Sequence, residues 1–456
     1  MKITNNEKQD RFTYLTTTPV PKLISTLAVP TIISMLVTGI YNTADTFFVG
    51  RISTQATAAV GLVFSVMAII QALGFFCGHG SGNCLARMLG ANNQKGANDV
   101  ASTGFALSLI IGVIVAALGI LFQNQIVTYL GATPTTMEDT KAYMRIILIG
   151  APFMIGQFVI NNQLRFQGSA NYAMIGLMCG AIVNIFLDPL LIFVFHMGVS
   201  GAAAATVAGQ FISFLVLLAG TRRGENIRLN IRNVHLNAYY LGEIINGGFP
   251  SLVRQGLAAI ATLLLNTAAG TYGGDAAIAG MSVVTRVMML VSSALIGFGQ
   301  GYQPVCSFNY GAKLRTRVRE GYFFCLKIGT VFLTVGAIVC FAFAPGIIQL
   351  FRDDPDVIAV GTAALRCQSL ALPLMPCIVI TNMMLQSIGK GVKASITASA
   401  RNGLFFIPLI LILPRLFGLF GVEITQAAAD FLSAAIAIPF AVLELRTMTT
   451  DGEVDS

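Results

Sequence analysis

Residues 152–168 read PFMIGQFVINNQLRFQG and residues 373–389 read PLMPCIVITNMMLQSIG, each an apolar run opened by a proline and closed by a glycine. At shifts of 219 to 221 residues further landmarks fall into register. Pro30 meets Pro250, Gly61 meets Gly280, and Gly78-His79-Gly80 meets Gly299-Gln300-Gly301. Gly90-Ala91 meets Gly311-Ala312, while Gly198 and Gly201 meet Gly418 and Gly421. The chain is therefore a duplicated unit of about 220 residues, longer than any solenoid period and of the size of the repeated halves of two-lobed transporters.

Composition places these halves in a membrane. Of the 456 residues 55% are hydrophobic and 11% charged, with a mean hydropathy of +0.76, which no soluble domain of this length sustains. At roughly 20 apolar residues per spanning helix, twelve spans are expected, starting near Leu23, Thr57, Ala101, Ala142, Tyr172, Gly201, Leu241, Ala276, Gly321, Ala359, Ser395 and Leu419. The predicted fold is an all-α polytopic membrane protein, two pseudo-symmetric six-helix lobes around a central cavity. The boundaries read as an N-lobe over 1–220, a cytoplasmic linker over 221–240, a C-lobe over 241–445 and a cytoplasmic tail over 446–456. The polar first 20 residues followed by a full-length span do not read as a cleavable signal.

Lysine and arginine set the orientation. Lys2, Lys8, Arg11, Lys22, Arg87, Lys95, Arg165, the linker arginines 222, 223, 228 and 232, Lys313, Arg315, Arg317, Arg319, Lys390, Lys393 and Arg446 all fall on one side. The opposite loops, such as Asp353-Asp354-Pro355-Asp356, are short and acidic or neutral. Both termini are expected in the cytoplasm and the protein in the cytoplasmic membrane. The net charge of +8 then follows from topology and gives no reason to expect nucleic acid.

The eight cysteines lie in or beside apolar segments without CxxC pairs or histidines at metal spacing, and read as small core residues. No phosphate-binding loop is present. Gly78-His79-Gly80-Ser81-Gly82 has no strand before it and no lysine after it, and reads as a site of close helix packing or a tight turn. No enzyme activity and no cofactor are expected, so transport would run on an ion gradient.

Ionisable residues inside spans are expensive and mark function, and most of them are expected in the first half. Asp45 lies toward the outer end of span 1, and Asp188 toward the outer end of span 5 in Asn184-Ile185-Phe186-Leu187-Asp188-Pro189. A spacing of four puts Asn184 and Asp188 on one helix face, and Pro189 frees the Ile185 carbonyl. Span 6 brings Thr206 to similar depth, and span 4 begins near Tyr143. Singly, Asp188 reads equally well as a helix-end cap and Asp45 as a headgroup residue. Together, four helices supply oxygen ligands for a hard cation, or two carboxylates that share a proton. Na⁺ and H⁺ both remain open.

These residues carry a resemblance. The chain resembles the MATE family, the multidrug and toxic compound extrusion transporters, over essentially its whole length. The likeness rests on the two related lobes, on Pro30 with Thr43-Ala44-Asp45-Thr46-Phe47-Phe48-Val49-Gly50, on Leu164-Arg165-Phe166-Gln167-Gly168, and on Asn184 with Asp188-Pro189. The resemblance implies export of lipophilic organic cations in exchange for H⁺ or Na⁺ by alternating access. In the branch with an N-lobe cation site it implies Asp45, Asn184, Asp188 and Thr206 as ligands, Tyr143 nearby, and Pro30 as a point of helix bending. The second lobe departs from a branch with acidic residues in spans 7 and 10: here stand Arg254, and Asn382 within Ile380-Thr381-Asn382-Met383-Met384. Arg254, Arg286 and Asn382 are candidate cavity residues. Alternatively Arg254 snorkels to the inner face or pairs with Glu243, and Arg286 pairs across helices. Cavity arginines would favour a lipid-linked precursor flippase, the alternative function. Drug-like molecules and the bilayer are the expected partners, and the chain is expected to act as a monomer.

Overall fold

The computed structural model describes residues 5–223 and 226–454, nearly all of them helical. In lipid, every backbone amide must be satisfied within its own segment, which leaves helices as the available form for long apolar runs. Spans 1 to 6 are Val20–Gly50, Thr54–Gly90, Gln94–Leu121, Met137–Phe166, Ala170–Val194 and Gly198–Gly220. The 74-residue helix Ala238–Gly311 breaks at Gly274, whose φ of 63° and ψ of −157° suit only glycine, so it contains spans 7 and 8. Spans 9 to 12 are Arg315–Ala342, Pro355–Ser387, Gly391–Phe417 and Leu419–Met448. Eleven apolar helices with one of them broken make twelve spans among the described residues, each starting within seven residues of its expected position.

The chain divides into two compact units, one of Met1–Thr18 with Thr26–Gly248, the other of Pro19–Ser25 with Phe249–Ser456. Span 1 thus begins among residues of the second unit, where Ile24 lies against Gly321. The first eleven residues of Ala238–Gly311 belong to the first unit. There Arg87 binds Glu243 at 2.6 Å, and Cβ atoms added at Gly80 and Gly248 would stand 2.1 Å from the carbonyl oxygens of Ile244 and Phe76. Gly82 likewise abuts Phe166, so the Gly78–Gly82 run is a device for close helix packing.

The connector is stapled to the first unit. Ile227 N–H donates to Gln167 Oε1 at 2.7 Å, Asn230 N–H to Ser102 Oγ at 3.2 Å and His235 N–H to Thr103 Oγ1 at 3.0 Å. Of the residues used in reading topology and boundaries, Lys2, the linker's Gly224 and Glu225, and the last two of the tail lie outside the described residues.

Within each unit the duplication reaches single bonds. Asn161 Nδ2 donates to the Ala173 carbonyl at 3.0 Å, and Asn382 Nδ2, 221 residues on, donates to the Ala394 carbonyl at 2.6 Å. Left-handed φ recurs at the same register: Asn92 56° and Lys313 62°, Gly168 82° and Gly389 83°, Gly198 55° and Gly418 59°. The repeat at Gly168 and Gly389 and at Gly198 and Gly418 is a repeat of turns, because those turns need the positive φ that glycine adopts at least cost.

Candidate functional site

Spans 5 and 6 meet backbone to backbone. A Cβ on Gly180 would lie 2.6 Å from the Gly209 carbonyl oxygen, and one on Gly209 would lie 2.7 Å from the Gly180 oxygen and 2.9 Å from Asn184 Cβ. Farther along, Gly201 abuts the Leu191 backbone. These glycines draw Asn184 and Asp188 against the face of span 6 that carries Thr206, Gln210 and Ser213 at i, i+4 and i+7. Past Pro189 span 5 continues as a π-helical turn, Leu190–Val194, which re-accommodates the rung that proline cannot donate.

Span 1 is tied to the same place. Gln210 Nε2 donates to Tyr41 Oη at 3.4 Å, and Tyr41 stands one helical turn before Asp45. Asp45 lies within electrostatic reach of both Asp188 and Tyr143. Tyr143 is fully buried, its hydroxyl 3.9 Å from Met67 Sδ. Val49, Tyr143, Ile192, Val199, Ala202 and Ala203 join one apolar cluster, with Phe48 and Val207 packed against it. The structure therefore brings together all five residues singled out from the sequence.

Their polar atoms are short of partners. Asp45 Oδ1, both side-chain polar atoms of Asn184, both carboxylate oxygens of Asp188 and Thr206 Oγ1 are buried without a hydrogen bond, as are Gln210 Oε1 and Ser213 Oγ. Leaving one such group unmet costs about 1–3 kcal/mol, and more for a charged one. Two carboxylates, an amide oxygen and hydroxyls form an all-oxygen set that fits a hard monovalent cation or carboxyl protons. Tyr41, Gln210 and Ser213 escaped sequence reading; the spacing of four from Asp45 and from Thr206 was the signal for the first two.

Pro30 lies buried inside span 1, flanked by hydroxyls that bond back into the helix. Thr31 donates to Leu27 O at 3.0 Å, Ser34 to Pro30 O at 2.8 Å and Thr38 to Ser34 O at 2.8 Å. Proline and back-bonding hydroxyls both weaken a helix against bending.

The second-half candidates fare differently. Asn382 is 5% exposed and spent on its bond to Ala394, a structural staple. Glu243 is the partner of Arg87, which removes the suggested Arg254–Glu243 pair. Arg254 is half-buried and Arg286 exposed, and neither forms a hydrogen bond or ion pair among the described residues, so the cross-helix pairing of Arg286 is absent. Arg165, counted with the inner-loop cations, is 4% exposed and bonded to Asn162 Oδ1 at 2.5 Å, with His79 Nε2 at 3.2 Å. The expectation that intramembrane ionisable residues gather in the first half also needs correction: Glu423, Asp430 and Glu444 are all buried in span 12.

A sequence model of the MatE family matches residues 30–190 and 250–412. The multidrug export protein MepA of Staphylococcus haemolyticus is 29% identical over 97% of this chain and 98% of its own length, and MepA of Staphylococcus aureus gives the same values. Among solved structures, a MATE transporter in its bent conformation superposes with a TM-score of 0.91 at 28% identity, covering 99% of this chain and 100% of that one. A MOP superfamily transporter from Pyrococcus furiosus, described with a binding pocket of reversed polarity, superposes with a TM-score of 0.90 at 28% identity, covering 98% and 100%. Because the family match falls separately on both halves and takes in most of the chain, this protein belongs to the MatE family of multi-pass membrane transporters.

Proposed function

We propose that the protein is a secondary active antiporter that exports lipophilic, cationic drug-like compounds in exchange for Na⁺ or H⁺, working as a monomer in the cytoplasmic membrane with both termini inside. The drug-like substrate rests on the multidrug export proteins it resembles over nearly full length. The antiport rests on one observation: Asp45, Asn184, Asp188 and Thr206 converge from three spans, with Asp45 Oδ1 and every side-chain polar atom of the other three buried without a partner. As Na⁺ ligands these are Asp45, Asn184, Asp188 and Thr206; with H⁺, the two carboxyls carry the proton. Tyr41 and Gln210 link span 1 to span 6 beside the site.

Ion occupancy reduces the negative charge of the paired carboxylates and their mutual repulsion, and lets span 1 close on spans 5 and 6. Span 1 is soft at Pro30, so that closure bends it and changes affinity for the exported compound. Coupling is then a differential affinity between two conformations, and it is reciprocal. Sodium and proton gradients imposed separately on liposomes holding purified protein and ethidium test this: efflux under one gradient names the ion, and efflux under neither rejects the antiport. The flippase reading gains no comparable support, since one half-buried arginine and one exposed arginine do not form a cradle for a pyrophosphate.

A further inference from the structure

The left-handed glycines that open spans 6 and 12, Gly198 and Gly418, fix a shift of 220 between these helices. Thr206 then corresponds to Gln426, Gln210 to Asp430 and Ser213 to Ser433. Gly168 and Gly389 fix a shift of 221 for spans 5 and 11, so Gly180 corresponds to Arg401. In the first unit this region holds the unpartnered oxygens. In the second unit Asp430, 4% exposed, is fully engaged. Arg401 Nε donates to Asp430 Oδ1 at 2.7 Å and Nη2 to Oδ2 at 3.4 Å, while Gln426 Nε2 donates to Oδ1 at 3.0 Å. Ser433 is satisfied by the Ala429 carbonyl at 2.6 Å. Where the first unit has a glycine that lets two backbones touch, the second has a side chain that delivers a guanidinium to a buried carboxylate.

We propose that Arg401 is a resident cation: its guanidinium neutralises Asp430 on the span 12 face equivalent to Thr206 and Gln210, beside a span 11 in which Phe405 and Leu409 stand at the positions of Asn184 and Asp188, so the chain exchanges its coupling ion at the first unit alone. The proposal rests on the reading of Asp45 and Asp188 as the exchanging site. Its chemistry is that of a tethered ligand, since an arginine fork meets a carboxylate in fixed geometry and does not leave it.

Removing the tether should convert the pair into a site for a free guanidinium. Thermal unfolding of purified protein, followed by exposure of its buried cysteines to a thiol-reactive dye, is compared in methylguanidinium chloride and in N-methylglucamine chloride at equal ionic strength. Every variant carries Asp188→Asn, so the first unit cannot contribute and no transport is needed. The expected result is a saturable rise in Tm with methylguanidinium for Arg401→Ala, and none when Arg401 is retained. No rise, or an equal rise with Arg401 present, would overturn the proposal. If Arg401→Ala does not fold, the doubly neutral Arg401→Ala/Asp430→Asn is expected to fold and to ignore methylguanidinium; a double variant no better than the single one also overturns it. Wild-type antiport without guanidinium rescue sinks this inference alone, whereas rescue without antiport sinks the functional reading alone.

Discussion

Spans 5 and 6 and spans 11 and 12 descend from one duplicated helix pair and have taken opposite electrostatic courses. In the first pair Gly180 and Gly209 bring the backbones into contact and leave Asn184, Asp188 and Thr206 buried without partners. In the second, Arg401 fills the position of Gly180 and satisfies Asp430. A buried carboxylate with its own guanidinium contributes to structure, whereas breaking such a pair strands a charge. A buried carboxylate without one asks for an ion from outside. On the function proposed here, this difference is how a symmetric scaffold comes to hold one exchanging site.

The comparison breaks most visibly at the carboxylates. Asp188→Asn, and separately Asp45→Asn, are expected to reduce gradient-driven ethidium efflux to that of empty liposomes while leaving the amount of folded protein unchanged; efflux retained in both variants would reject the site. Next in size is Gly209→Val, which forces side-chain atoms against the Gly180 carbonyl and Asn184. Overpacking of this kind costs about 1–3 kcal/mol, so the apparent affinity for the driving ion should fall about tenfold or more. An unchanged ion dependence would show that the close approach does not shape the site.

Two smaller changes sharpen the symmetry itself. Asn161→Ala and Asn382→Ala each remove one side-chain bond to a carbonyl on the following span, and each should lower stability by about 1 kcal/mol without altering ion dependence. Unequal losses, or lost coupling in Asn382→Ala, would mean that the two staples are not equivalent. The smallest effect is expected from Arg286→Ala, an exposed residue with no ion pair among the described residues; a large loss of efflux there would return it to the substrate path.

The spans were legible because hydrophobic length alone decides whether a helix crosses a bilayer. The duplication was legible because Gly168, Gly198, Gly389 and Gly418 occupy turns that need positive φ. Asp45 and Asp188 stood out as rare charges in apolar runs, and the spacing of four between Asn184 and Asp188 fixed their common face. The Arg401–Asp430 pair was not legible, because its partners lie 29 residues apart on different helices and nothing local in either span announces the other. The same holds for Arg87 and Glu243, separated by 156 residues and joined only once span 2 packs on the start of span 7. Asn382 looked like a cavity residue because a polar side chain in an apolar span has two explanations, ligand contact and a backbone staple, and only the position of Ala394 distinguishes them.

The most direct test of ion exchange at the first unit runs the coupling backward. Liposomes containing purified protein are given an ethidium gradient and no ion gradient, and Na⁺ and proton movement are recorded. Reciprocity requires one of the two ions to move against the drug flux in the wild type and to stop moving in Asp188→Asn. Ethidium movement with no opposing ion, or opposing ion movement that persists in Asp188→Asn, would contradict the account.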